Sequence, residues 1–95
     1  MKEEPDMQAK SGFVLRHVLD EYILMPTGDN ISVFDGTVMF NETAALVWQK
    51  LQSPVTREEL LQAVMDEYDV EEAVAAADLD KLLQQMKKDG ILLED

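Results

Sequence analysis

The stretch Thr37-Val-Met-Phe-Asn-Glu-Thr-Ala-Ala-Leu-Val-Trp-Gln-Lys-Leu51 changes its period in the middle, and that change limits what the chain can fold into. Thr37 to Phe40 is β-favouring and follows Asp35-Gly36, a dipeptide suited to a tight hairpin turn. Asn41 is a favoured helix N-cap, and Glu42 places a negative charge in the first turn, where the helix dipole favours it. Beyond it, Ala44, Val47, Trp48 and Leu51 fall at i, i+3, i+4 and i+7, the spacing of one buried helical face. A strand therefore runs directly into a helix. Upstream sequence reads as strand feeding this junction, and downstream sequence as helix packing on it.

Downstream, Ser53-Pro54 ends the first helix. Thr56 with Glu59 forms a capping box, and Val55 with Leu60 is placed as the accompanying hydrophobic staple. Leu60, Leu61, Val64, Met65 and Tyr68 give the second helix one apolar face. The chain turns between Asp69 and Glu72. A longer third helix follows, with Ala75, Ala76, Leu79, Leu82, Leu83 and Met86 on its inner stripe. Lys87 and Lys88 suit its last turn, Gly90 is a natural stop, and Ile91 to Leu93 can tuck under the core or add an edge strand.

Upstream, residues 1–11 are polar and without period, which predicts a disordered lead-in ahead of a domain over 12–95. Phe13 to Leu19 and Tyr22 to Met25 are two β-rich runs separated by Asp20-Glu21, a predicted hairpin. Pro26 to Asn30 breaks the second run, and Ile31 to Phe34 resumes it before the turn at Asp35-Gly36. The simplest sheet is a meander whose interrupted second strand pairs with the first at one end and the third at the other. The fold class is α+β: an N-terminal three-stranded antiparallel β-meander followed by three α-helices. The helix lengths and tight connections resemble a winged helix-turn-helix.

Charge decides among partners. Twenty Asp and Glu against eight Lys and Arg give a net charge of −12 over 95 residues. Nucleic-acid binding depends on neutralising phosphates, and the second helix, where a DNA reader would be basic, is strongly acidic; DNA and RNA are excluded as partners. Anionic membranes are disfavoured for the same reason. No apolar run approaches the ~20 residues of a membrane span, and the first residues lack a signal-peptide pattern, so a cytoplasmic location is expected.

Catalytic signatures are missing from the sequence. There is no cysteine, hence no thiolate nucleophile, and the single imidazole, His17, sits in a predicted strand with no serine motif nearby. The acidic run Asp66, Glu67, Asp69, Glu71 and Glu72 lacks the glycine-centred loop of an EF-hand and reads as a solvated face. Four glycines are scattered at turns, so no phosphate loop and no cofactor site is expected. Trp48 lies on the apolar helical stripe and reads as core. Met39 differs from its neighbours, because strand alternation points it to the face opposite Val38 and Phe40. The expectation is a protein with no enzymatic activity, no cofactor and no metal.

What remains is binding. A meander leaves its last strand with an unpaired edge, and an extended peptide can add there as a further strand. Thr37, Val38, Met39 and Phe40 would form that edge. Leu79, Leu82, Leu83 and Met86 of the third helix would form the other wall, and the sequence does not divide these between core and groove. Replacing Val38 with Pro should weaken such binding if its amide faces the guest.

Val38 to Leu51, then Val55-Thr-Arg-Glu-Glu-Leu60, then Asp78 in the third helix and Gly90-Ile-Leu92 together resemble the PqqD-like family. This is the peptide chaperone family of pyrroloquinoline quinone biosynthesis, also called the RiPP recognition element. Its pattern is a strand ending in Leu-Asn-Glu, a helix with a late aromatic, a Thr-capped helix and a long helix closing with Gly-Leu. Phe40 stands here where Leu is usual, which keeps the position apolar. Gly12-Phe-Val-Leu-Arg16 and Glu21-Tyr-Ile-Leu-Met25 look like the family's first two strands, and the resemblance spans roughly residues 12 to 93. It implies a winged-helix-like domain, itself not catalytic, that binds the leader of a ribosomally made precursor peptide. The leader would add against the third strand, in a groove shared with the third helix, and be presented to a separate modifying enzyme, often a radical-SAM protein. The alternative is a protein–protein adaptor or dimerisation module of the same fold, as monomer or homodimer, with no leader-peptide activity.

Overall fold

Asn41 starts the first helix as its position predicts: its side-chain oxygen accepts the Ala44 N–H at 2.8 Å, with Glu42 in the first turn. The computed structural model describes residues 6–28 and 38–94. Their elements, in chain order, are β1 (Met7–Ala9), β2 (Phe13–Val18), β3 (Glu21–Pro26), β4 (Val38–Phe40), α1 (Glu42–Lys50), α2 (Arg57–Glu67), α3 (Glu72–Lys88) and β5 (Leu92–Glu94).

The predicted capping box opens α2. Glu59 N–H donates to Thr56 Oγ1 at 3.2 Å, and Thr56 N–H donates to Glu59 Oε1 at 2.8 Å. At its other end α3 stops at Gly90, whose φ of +79° glycine adopts without steric cost. Gly90 N–H donates to the Lys87 carbonyl and Ile91 N–H to the Met86 carbonyl, so a Schellman pair closes the helix. Arg57 and Asp80 tie α2 to α3 through two hydrogen bonds, from Nε at 2.7 Å and Nη2 at 3.0 Å. The guanidinium, chiefly by that hydrogen bonding, holds the Asp80 carboxyl below its ordinary value.

The main sheet is antiparallel in the order β2-β3-β4. β2 and β3 form a hairpin with Leu15 opposite Leu24 and Val18 opposite Glu21. The two-residue turn is therefore Leu19-Asp20, one position before the expected Asp20-Glu21. Leu19 takes a φ of +57° and is 91% exposed. β4 pairs with Tyr22, Ile23 and Leu24 themselves. The third strand thus lies beside the stretch ahead of Pro26, a correction to the meander expected through Ile31–Phe34. Those residues and the Asp35-Gly36 turn lie outside the described residues.

A second correction concerns the N-terminal segment. The disordered lead-in expected over 1–11 does not hold at β1, which pairs antiparallel with β5, Met7 opposite Glu94 and Ala9 opposite Leu92. Met7 also exchanges hydrogen bonds with Val55, at 2.7 and 2.9 Å, and Ala9 N–H donates to the Leu51 carbonyl. Met7 is only 4% exposed. Polar neighbours hide the signal: the alternation Met7-Gln8-Ala9 is a strand pattern too short to stand out without its partner 83 residues away.

The core gathers the inward side of the sheet and one stripe of each helix. Leu24, Phe40, Trp48, Leu51, Leu60, Val64, Leu79, Met86 and Ile91 are all buried in one cluster. Trp48 sits between two rings: Phe13 meets it edge-on at 6.2 Å between centroids, and Phe40 tilts against it at 5.9 Å. The sheet's outward side remains apolar and exposed at Val14, Val18, Met25 and Met39. Among the described residues no helix is long and apolar enough to cross a membrane.

Candidate functional site

Hydrogen-bonding parity along the sheet decides which backbone groups of β4 are open. Thr27 N–H donates to the Gly12 carbonyl at 2.8 Å. In an antiparallel pair, bonded and non-bonded positions alternate. With the register of Val14 opposite Met25 and Arg16 opposite Ile23, the odd-numbered residues of β3 turn their N–H and C=O toward β2. Tyr22 and Leu24 therefore turn theirs toward β4, where they meet Phe40 and Val38. Met39, opposite Ile23, is left with its N–H and C=O directed away from the sheet. No strand among the described residues pairs with β4 on that side.

Side chains on β4 alternate as the sequence predicts. Val38 and Phe40 face the core, half-buried and buried, whereas Met39 faces out and is 54% exposed. The strand is short because Asn41 turns into α1 directly after it, so the open ladder is anchored at one end by a capped helix.

The wall expected from α3 divides clearly. Leu79 and Met86 are each 1% exposed and Leu83 8%, and all three pack in the same cluster as Phe40. They belong to the buried core rather than to the lining of an open groove. Leu82 is half-buried against the cluster and keeps accessible surface. Of the eight residues singled out from sequence, Val38, Met39 and Leu82 thus combine accessibility with contact to the core or the open ladder. Thr37 lies outside the described residues. The sequence spacing placed Leu79, Leu82, Leu83 and Met86 on one stripe, but spacing alone carries no depth, and depth separates Leu82 from the others.

His17 is exposed and stacks on Tyr22, with 4.1 Å between ring centroids. No group of three or more metal-ligating side chains comes together among the described residues. The carboxylates of the three helices sit on exposed surfaces and at caps.

This arrangement of sheet, open edge and helices can be set beside known proteins. The family described as Coenzyme PQQ synthesis protein D (PqqD) matches residues 21–92, most of the chain. The chain belongs to the PqqD family. No curated protein sequence matches it. Two solved structures resemble it across nearly their whole length. One is TbiB1 in complex with the TbiA(beta) leader peptide, at 20% identity and a TM-score of 0.70, covering 90% of this chain and 93% of the other. The second is lasso peptide synthetase B1 complexed with the leader peptide, at 24% identity and a TM-score of 0.70, covering 92% and 96%. At these identities the likeness establishes the α+β fold of this PqqD-family protein, three helices on a small antiparallel sheet.

Proposed function

We propose that this PqqD-family chain is a non-catalytic recognition module of the cytoplasm. It captures the leader segment of a ribosomally synthesised precursor peptide and presents it to a separate modifying enzyme of the radical-SAM type. The observation that carries the reading is the open N–H and C=O of Met39 at the edge of β4, beside the core formed with α3. A guest strand gains main-chain hydrogen bonds there, and its alternate side chains meet Val38 and Leu82 on one face and Met39 on the other. Both solved relatives are leader-peptide complexes, which supports the same guest for this chain. The net charge of −12 favours leaders rich in Lys and Arg.

Titrating isotope-labelled protein with candidate precursor peptides tests the reading. Amide shifts should concentrate at residues 38–40 and around Leu82. Shifts confined to the acidic surface of α2 would remove the strand-addition model. A second reading, an adaptor or dimerisation module, is favoured by the exposed apolar outward face at Val14, Val18 and Met25. Sedimentation that depends on protein concentration without peptide would support it.

A further inference from the structure

The core stripe of α1 runs through Ala44, Val47 and Trp48 to Leu51, all buried. Leu46 lies off that stripe, is only half-buried, and lines two adjoining cavities in the crevice between α1 and α2. The first, of about 440 Å³, has Leu46, Val55, Leu60 and Ala63 at its base, with Glu59 and Asp66 along its side. The second, of about 300 Å³, shares Leu46 and Glu67 with the first and adds Tyr22, Ala45 and Tyr68. Joined at Leu46 and Glu67, they make one trough whose apolar surface lies mainly in the first cavity. Its charged rim holds four carboxylates, Glu42, Glu59, Asp66 and Glu67, against the single ammonium of Lys50.

We infer that this trough is a docking site for a Lys/Arg-rich amphipathic helix carried by a partner protein. Two features argue for a helix rather than an extended chain. The walls are α1 and α2, whose mid-helix N–H and C=O groups are satisfied within each helix, so no open ladder is offered. What is offered is a row of apolar side chains between two helices, the surface into which a third helix sets its apolar face. The excess of carboxylates on the rim selects the sign of the partner's flanking charges. Gln62 Nε2 donates to Asp66 Oδ1 at 2.9 Å, which fixes one of those carboxylates at the rim without neutralising it. The trough is separate from the open side of β4, so its occupancy and leader capture are read at different residues.

The test uses the full chain, isotope-labelled, and two synthetic 14-residue helices of the kind just described, with Leu at i, i+3, i+4, i+7 and i+11. One carries Lys on its flanking positions and the other Glu. The Lys peptide should give saturable shifts at Leu46, Ala63, Asp66 and Glu67, weakening at least threefold between low and physiological salt. The Glu peptide should bind at least tenfold more weakly. Ala63→Lys fills the trough and lowers its negative charge by one at a half-buried helix position with little propensity cost. It should weaken the Lys peptide at least tenfold while leaving the leader-induced shift at Met39 in place. If Ala63→Lys lowers Tm, the double variant Asp66→Asn, Glu67→Gln replaces it, with at least a threefold loss expected. Equal binding of the two peptides overturns the proposal, as do shifts confined to residues 38–40 or no saturable shift at all. Shifts at Leu46 and Ala63 that grow with protein concentration alone would make a second copy the occupant and equally overturn it.

Discussion

Met39 stands opposite Ile23 at a position where the two strands exchange no hydrogen bonds, while its neighbours Val38 and Phe40 spend theirs on Leu24 and Tyr22. Adjacent residues of one short strand therefore aim their backbone groups in different directions, one away from the sheet and two into it.

That division separates two proline substitutions. Met39→Pro removes only the outward donor, so leader affinity should fall at least tenfold while Tm changes little. Val38→Pro removes a donor aimed at Leu24 inside the sheet, so it should destabilise the fold by about 1–3 kcal/mol. Calorimetric titration beside thermal melting of both variants checks this. Loss of stability in Met39→Pro with none in Val38→Pro would reverse the assigned parity.

The strapped N-terminal strand makes a second prediction. Met7 is buried against the core and bonded to Val55. Met7→Ala should cost about 2–5 kcal/mol, the range for emptying a buried Met site. Chemical denaturation reads it directly, and a loss below about 0.5 kcal/mol would mean that the segment contributes nothing.

Leu19 holds a φ of +57° at the tip of the β2–β3 hairpin, in solvent. A left-handed conformation costs a side-chain-bearing residue about 1–2 kcal/mol, a penalty glycine lacks. Leu19→Gly should therefore leave stability unchanged or raise it by up to about 1 kcal/mol, despite glycine's greater freedom when unfolded. A clear drop in Tm would show that the leucine packs on something essential.

The Arg57–Asp80 pair predicts a small acid sensitivity. The Asp80 carboxyl is held below its ordinary value when folded, so its contribution is present above the unfolded value near 3.8 and is lost as pH falls through the folded one. Both side chains are about half exposed, so solvent screening limits the coupling to about 0.2–1 kcal/mol. A double-mutant cycle at pH 7 should measure that coupling, and repeating it at successively lower pH should find it shrinking once the pH falls below the unfolded value.

Where the sequence carried chemistry on adjacent residues, its reading reached the structure. Asn41, the Thr56–Glu59 box and Gly90 each act within a few positions of themselves, and all three cap as expected. Trp48 was legible as core because its stripe repeats at helical spacing. The pairing of Met7–Ala9 with Leu92–Glu94 was not, since neither strand holds enough residues to announce a period. The pairing of Val38–Phe40 with Tyr22–Leu24 was not legible either, because Asp35-Gly36 is a strong local turn signal, whereas the pairing of Val38 with Leu24 spans a segment that no local pattern measures. At the candidate site, β-propensity marked the strand over Val38–Phe40, but which amide points outward depends on a register that only the folded sheet defines.

The pairing of β1 with β5 brings the two ends of the described chain to the same place on the surface. Such a domain can be spliced into a loop of a larger protein with its entry and exit points side by side, leaving the host's own path almost undisturbed. A module built this way can travel between hosts as a cassette, so the open edge of β4 is portable without redesign of the host.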